Sequence, residues 1–158
     1  MDTRHLRNAL GRFTTGVTIV TCCDRQGQFV GLTANSFNSL SLDPPLVLWS
    51  LRSASPNADA YAAAPRFAIN VLAESQVELA RRFASRSEDR FGDGAWSVGE
   101  HGAPVLAGCA AVIECQTVSN QLAGDHRLFI GRVLACTESP LPPLVFQAGH
   151  YRLLGEVL

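Results

Sequence analysis

Segments of alternating, β-branched character follow one another along this chain with too little between them for helices. "VTIVTCC" gives way to "QFVGLTA" across only "DRQG", and "GCAAVIECQTV" reaches "RLFIGRVLAC" through "SNQLAGDH". Parallel neighbours need a crossover of a dozen or more residues, normally a helix, whereas antiparallel neighbours need only a turn. The spacing therefore predicts an antiparallel sheet. With "LVLWSL", "RFAINVLA" and the short strands in "PLVFQAGHYRLLG", about seven strands stand against three helices. A mostly β fold follows, an antiparallel barrel with peripheral α-helices.

The helices are legible by period. Leu6, Leu10 and Phe13 recur at helical spacing among Arg4, Arg7, Asn8 and Arg12, which predicts an amphipathic helix over residues 3–13. "PNADAYAAA" has Pro at a helix start with Ala behind it. "SQVELARRFA" places Val77, Ala80, Phe83 and Ala84 on one face. The polar, Gly- and Asp-rich stretch from Ser85 to Pro104 reads as a long loop with a short strand around Trp96.

At 158 residues the chain fits one domain, 1–158, since single domains most often hold roughly 100 to 150 residues. No stretch approaches the ~18 uninterrupted apolar residues of a membrane span. The opening "MDTRHLRNALGRF" lacks the basic, apolar and small-residue succession of a secretory signal. A net charge of -1 speaks against nucleic acid as a partner. The one basic cluster, Arg81, Arg82, Arg86 and Arg90, reads as a solvated helix face, with an anion site near Phe83 as the alternative. Five cysteines, Cys22, Cys23, Cys109, Cys115 and Cys136, show no CxxC and no zinc-ligand spacing. They read as reduced core residues in a cytoplasmic protein, Cys109 and Cys115 sharing one strand face.

Familiar catalytic motifs fail one by one. "GRFTTGVT" has the glycine spacing of a phosphate loop, but Val17 stands where Lys is needed and a helix precedes it. No GxGxxG follows a strand, HExxH is absent, no GxSxG elbow occurs, and the four histidines lie far apart with no metal signature. His126, after "GD" in a hairpin, could be a solvated loop residue or could pair in space with a distant Ser or Cys.

What remains is "GLTANSFNSLSLDPPLVLWSL", from Gly31 to Leu51, where Thr33, Asn35, Ser36, Asn38 and Ser39 interrupt two apolar segments. A turn needs two to five residues with Gly, Asn or Pro at set positions. This stretch carries more polar atoms than that. Short donors and acceptors suit the polar rim of a flat, apolar-faced ring such as a flavin. One strand further on, Ser50, Arg52, Ser53, Ser55 and the helix start at Pro56 and Asn57 supply donors for a phosphate.

The order of "GRFTTGVTIVT", "GLTANSFNSLSLDPPLVLWSL", "SPNADAY", "FAINVL", "RFA", "GDHRLFIGRV" and "PLVFQAGHYRLL" resembles the short-chain flavin reductase family, which supplies reduced flavin to two-component monooxygenases. The likeness runs from about Leu6 to Leu154. It implies an FMN-binding split β-barrel, FMN or FAD as flavin, and NADH, less often NADPH, as donor. It also implies a homodimer and a separate monooxygenase reached by diffusible reduced flavin. By position, Thr33, Ala34, Asn35 and Ser36 would meet the flavin ring. Ser50, Leu51, Arg52, Ser55 and Asn57 would line its phosphate and ribityl side, Phe83 would border the pocket, and His126 and Tyr151 would lie on the nicotinamide side. A non-catalytic flavin carrier or sensor on the same barrel is the alternative. A haem module using His126 or His150 as axial ligand is a third.

Overall fold

A computed structural model describes residues 1–158. Helix α1 (Thr3–Leu10) is capped by the Asp2 carboxylate, which accepts from the Arg4 N–H at 2.9 Å. After a short β1 (Thr15–Gly16), β2 (Thr18–Cys23) and β3 (Phe29–Ala34) form the predicted hairpin. Asp24 shapes its turn by accepting from the N–H groups of Gln26 and Gln28. Strands β4 (Asn38–Leu42) and β5 (Pro45–Arg52), helix α2 (Ala58–Ala63), β6 (Arg66–Val71) and α3 (Val77–Ala84) follow. The short β7 (Trp96–Val98) and β8 (Pro104–Leu106) precede the long β9 (Ala111–Ala123) and β10 (His126–Glu138), and β11 (Val145–Gln147) and β12 (His150–Arg152) complete the order.

The main sheet holds seven strands in the order β3-β2-β6-β9-β10-β5-β4, every pair antiparallel. Its two edge strands, β3 and β4, are consecutive in the chain and joined only by residues 35–37. Three residues span roughly 10 Å at most. The sheet must therefore curl until its edges nearly meet, which makes a barrel closed by the chain but split between β3 and β4–β5. Two smaller sheets, β1-β11-β12 and β7-β8, lie outside this sheet.

One cluster of large side chains fills the barrel. Trp49 is fully buried, stacked on Phe129 at 4.6 Å and edge-on to Tyr61 at 5.0 Å. The Tyr61 hydroxyl donates to the Val20 carbonyl at 2.6 Å. Gly131 admits this packing, because a Cβ there would stand 2.4 Å from Phe67 Cζ. A second cluster around Ile19, Leu72 and Phe83 holds α3 against the barrel. Between them Asn70 is completely buried with its amide satisfied, donating to the Ile19 carbonyl and Thr21 Oγ1 and accepting from the Leu106 N–H.

Several expectations need correction. The opening helix stops at Leu10 and buries none of its residues, with Leu10 65% and Phe13 80% exposed. The chain has twelve strands, seven of them in the main sheet. "SNQLAGDH" is mostly strand, and the turn between β9 and β10 is only Gly124 and Asp125. Asn38 and Ser39 belong to β4, not to a ligand-facing loop. Cys109 precedes β9 and packs in the second cluster while Cys115 packs in the first, so they share no strand face. Cys136 is exposed and Cys23 half-exposed, leaving three core thiols, each pushed by burial up to about 12.

Candidate functional site

The split in the barrel is a cleft of about 530 Å³. Its floor and one wall come from the end of β3 and the residues after it, Leu32 through Ser36. The end of β5 supplies Ser50, Leu51 and Arg52, and the turn into α2 supplies Ser55, Pro56 and Asn57. Phe83 and Ala84, in the last turn of α3, close another side. His126 enters from the first residue of β10, which pairs directly with Arg52. Eleven of the twelve residues expected at the site from the sequence thus meet at one place, drawn from five separate parts of the chain.

The polar side chains divide into two kinds. Thr33 Oγ1 donates to the Ala80 carbonyl at 2.7 Å, tying β3 to α3. Ser36 Oγ donates to the Ser50 carbonyl at 2.8 Å and accepts from the Ser50 N–H at 2.9 Å, bridging the split. Both hydroxyls thus hold the cleft in shape, and each keeps a lone pair that can accept from a further donor. Asn35 is exposed at the cleft. Asn57 makes no side-chain capping bond to α2, so its amide is free, while Ser55 Oγ accepts from the Asn57 N–H at 3.3 Å.

Arg90 lines the cleft too, which corrects the reading of the basic cluster as one solvated helix face. Helix α3 ends at Ala84, so Arg90 lies on the following loop, free to fold back over β3. There its Nη1 donates to the Gly31 carbonyl at 2.9 Å, and its Nε is buried with no partner. An unpaired donor on a half-buried cation marks a place where an anion would be stabilised.

At the β9–β10 turn the Asp125 carboxylate lies 2.7 Å from His126 Nδ1. That hydrogen bond, followed by the imidazole's charge, holds the Asp125 carboxyl below the usual carboxylate range. An ionised carboxylate can only accept, so Nδ1 carries the proton and Nε2 is the nitrogen left for other partners. Tyr151 is elsewhere. It packs on Phe146 at 5.5 Å with the Arg81 guanidinium 5.7 Å above its ring, and it does not line the cleft, so the expected nicotinamide contact is not made within one chain. Another hollow of about 590 Å³ beside α2 is walled by three alanines with Asp24, Arg25, Gln26 and Asp59 and gathers no comparable set of donors.

The residues fit a flavin. Leu32, Ala34, Leu51, Phe83 and Ala84 give apolar walls for a flat ring, while Ser55, Asn57 and the orphaned Arg90 Nε gather donors at one end for a phosphate. Fold and cleft together define a split barrel whose cleft has the walls and donors that a flavin would need. The chain belongs to the family of the flavin reductase like domain, which it matches over residues 10–155. It is 46% identical over 160 residues to a probable flavin reductase of Rhizobium meliloti, covering 99% of this chain and 51% of that protein. It is 43% identical to the reductase component of a flavin-dependent trigonelline monooxygenase of Acinetobacter baylyi, covering 94% of this chain and 48% of that one. The chain thus spans about half the length of these two relatives. Among solved structures it superposes on the NADH:FAD oxidoreductase SgcE6 of Streptomyces globisporus with a TM-score of 0.92 at 38% identity, covering 99% of this chain and 90% of that one.

Proposed function

We propose that this chain is an NAD(P)H:flavin oxidoreductase that reduces FMN or FAD and releases reduced flavin to a separate monooxygenase. The cleft at the barrel split carries this reading, because it joins apolar walls, phosphate donors and an imidazole in one continuous space. Bound flavin supplies a hydride acceptor and reduced nicotinamide the hydride. The protein's own work is positioning: Thr33 and Ser36 fix the cleft walls, Asn35 and Asn57 orient polar edges, and the apolar walls exclude water. No acid–base pair is needed for that step, so His126 in the cleft is asked only to position the donor. The family match and the names of the relatives support the reading, and residues 1–158 then act as one flavin reductase-like domain. Oxidation of NADH that depends on added FMN or FAD tests it.

His126 has the catalytic role in this proposal. Held through Nδ1 by Asp125, it presents Nε2 to the nicotinamide side. His126→Ala should lower kcat/KM for NADH about tenfold, roughly 1.4 kcal/mol, while flavin affinity stays nearly constant. Stopped-flow reduction of bound flavin at several NADH concentrations reads it, and rates equal to wild type throughout would make His126 a loop residue. The Asp125 carboxylate stays ionised through the ordinary carboxylate range and is lost only as pH falls through its lowered value. An acid limb of the rate should therefore flatten in the variant.

The proposal includes a homodimer. Leu6, Leu10 and Phe13 on and after α1, with Val118 and Leu122 on the β9–β10 hairpin, leave large apolar side chains exposed in one chain. A second copy covering them accounts for that exposure, and light scattering should report about twice 17.0 kDa. A fully active monomer would contradict it. The five unpaired thiols support a reducing, cytoplasmic setting, and no helix is long and apolar enough to cross a membrane.

A further inference from the structure

Helix α1 ends against the turn between β11 and β12, where the Ala148 N–H donates to the Gly11 carbonyl at 2.9 Å. Gly11 permits that approach. A Cβ on it would stand 3.1 Å from the Arg7 carbonyl oxygen and 3.4 Å from Ala148 Cα. Ala148 and Gly149 have φ of 51° and 81°, as a two-residue type I′ turn requires, and Ala148 is the one non-glycine residue of the chain at positive φ. The Gly149 N–H makes no backbone hydrogen bond.

Between helix end and turn lies a cleft of about 430 Å³, lined by Arg7, Asn8, Gly11, Arg12, Ala148 and Gly149. It shares no residue with the main cleft. Arg7 and Arg12 are exposed, enter none of the chain's three ion pairs, and have no acidic side chain beside them in the lining. Carbonyls at a helix C-terminus can engage such cations. Here the carbonyl oxygens of Arg7, Ala9 and Leu10 already accept from the N–H groups of Gly11, Arg12 and Phe13. Two like charges therefore line one polar hollow with nothing of opposite sign to answer them.

We propose that this cleft is a phosphate site, taking inorganic phosphate or the phosphate of a small polar phosphomonoester, and that the bound anion pins α1 to the β11–β12 turn. The donors come from the helix (Arg7, Asn8), the residue after its cap (Arg12) and the hairpin (the Gly149 N–H). A tetrahedral oxyanion with three or more acceptor oxygens meets donors so spread better than a planar carboxylate does. Ala148 is the only apolar side chain in the lining, so a flavin or nucleotide ring finds no wall there. Helix α1 buries none of its residues, which leaves it dependent on whatever holds its end. Leu6 and Leu10 lie outside the lining, so a second copy against them leaves the cleft open.

Amide hydrogen exchange of residues 3–13 tests this, followed while inorganic phosphate or ribose 5-phosphate is titrated at constant ionic strength. The concentration at which α1 exchange slows gives the affinity at this cleft, whatever phosphate does elsewhere on the protein. At ten times the dissociation constant, binding to the closed form alone slows exchange through opening about tenfold. Arg7→Gln combined with Arg12→Gln should raise the required concentration at least about tenfold. Arg25→Gln, an exposed arginine on the β2–β3 turn, should match wild type, which separates a site from general attraction to positive charge. FMN affinity should stay within about twofold in all three proteins, so the main-cleft reading stands or falls separately. Slowing at a lower concentration of ribose 5-phosphate than of inorganic phosphate identifies a phosphomonoester as the ligand, the reverse identifies the free ion, and either upholds the site. No slowing in wild type, undiminished slowing in the double variant, or an equal loss in Arg25→Gln overturns it.

Discussion

Trp49→Ala is expected to lower the unfolding free energy by about 3 to 5 kcal/mol, the largest single loss of stability in the barrel. Trp49 is 0% exposed and touches three aromatic rings, Tyr61, Phe67 and Phe129, which come from three different elements of the fold. Removing it opens a cavity that backbone strands on either side cannot collapse into. One feature softens the loss: the indole Nε1 is buried with no hydrogen-bond partner. Trp49→Phe keeps most of the ring contact and discards that unsatisfied donor, so it should cost no more than about 1.5 kcal/mol. Urea unfolding of the two variants beside wild type checks the pair. Near-equal losses would mean that the indole is held by something other than ring packing.

Ala84→Trp should weaken flavin binding by at least about a hundredfold, on the order of 2.7 kcal/mol, without unfolding the protein. Ala84 is exposed, ends α3, and lines the main cleft beside Phe83. An indole there fills space that a ring would need, and it displaces no buried neighbour. Asn35→Leu, exposed on the opposite wall, should weaken binding by about tenfold, since it removes one orienting amide but leaves the space open. Ser36 is unsuitable for such a test, because its hydroxyl bridges the split to Ser50 and its loss would loosen the barrel itself. Fluorescence titration with FMN measures both variants. Unchanged affinity in Ala84→Trp would place the flavin somewhere other than this cleft.

The barrel was legible because its strands alternate and its connections are short, which leaves antiparallel pairing as the only solution. Period and spacing could not show that β3 and β4 are the sheet's two edges, since that depends on β6, β9 and β10 inserting between distant partners. The polar run after Gly31 pointed to the cleft, but not to the division of labour within it. Thr33 and Ser36 spend their hydroxyls on Ala80 and Ser50, and those partners lie 47 and 14 residues away, beyond the reach of any local pattern. Arg90 was hidden for a similar reason: four arginines in ten residues look like one face of a helix unless the helix is known to end at Ala84. Tyr151 shows the limit of a resemblance read by position: its ring packs on Phe146 under Arg81 and does not line the cleft of its own chain.

The most direct test of the central claim is anaerobic mixing of NADH with flavin in the presence of wild type or Ala84→Trp, followed by flavin absorbance. The account predicts rapid bleaching with wild type and a rate near that of free NADH and flavin with the cleft-filled variant, both proteins showing the same circular dichroism. Equal bleaching by the two, or none by wild type, would contradict it.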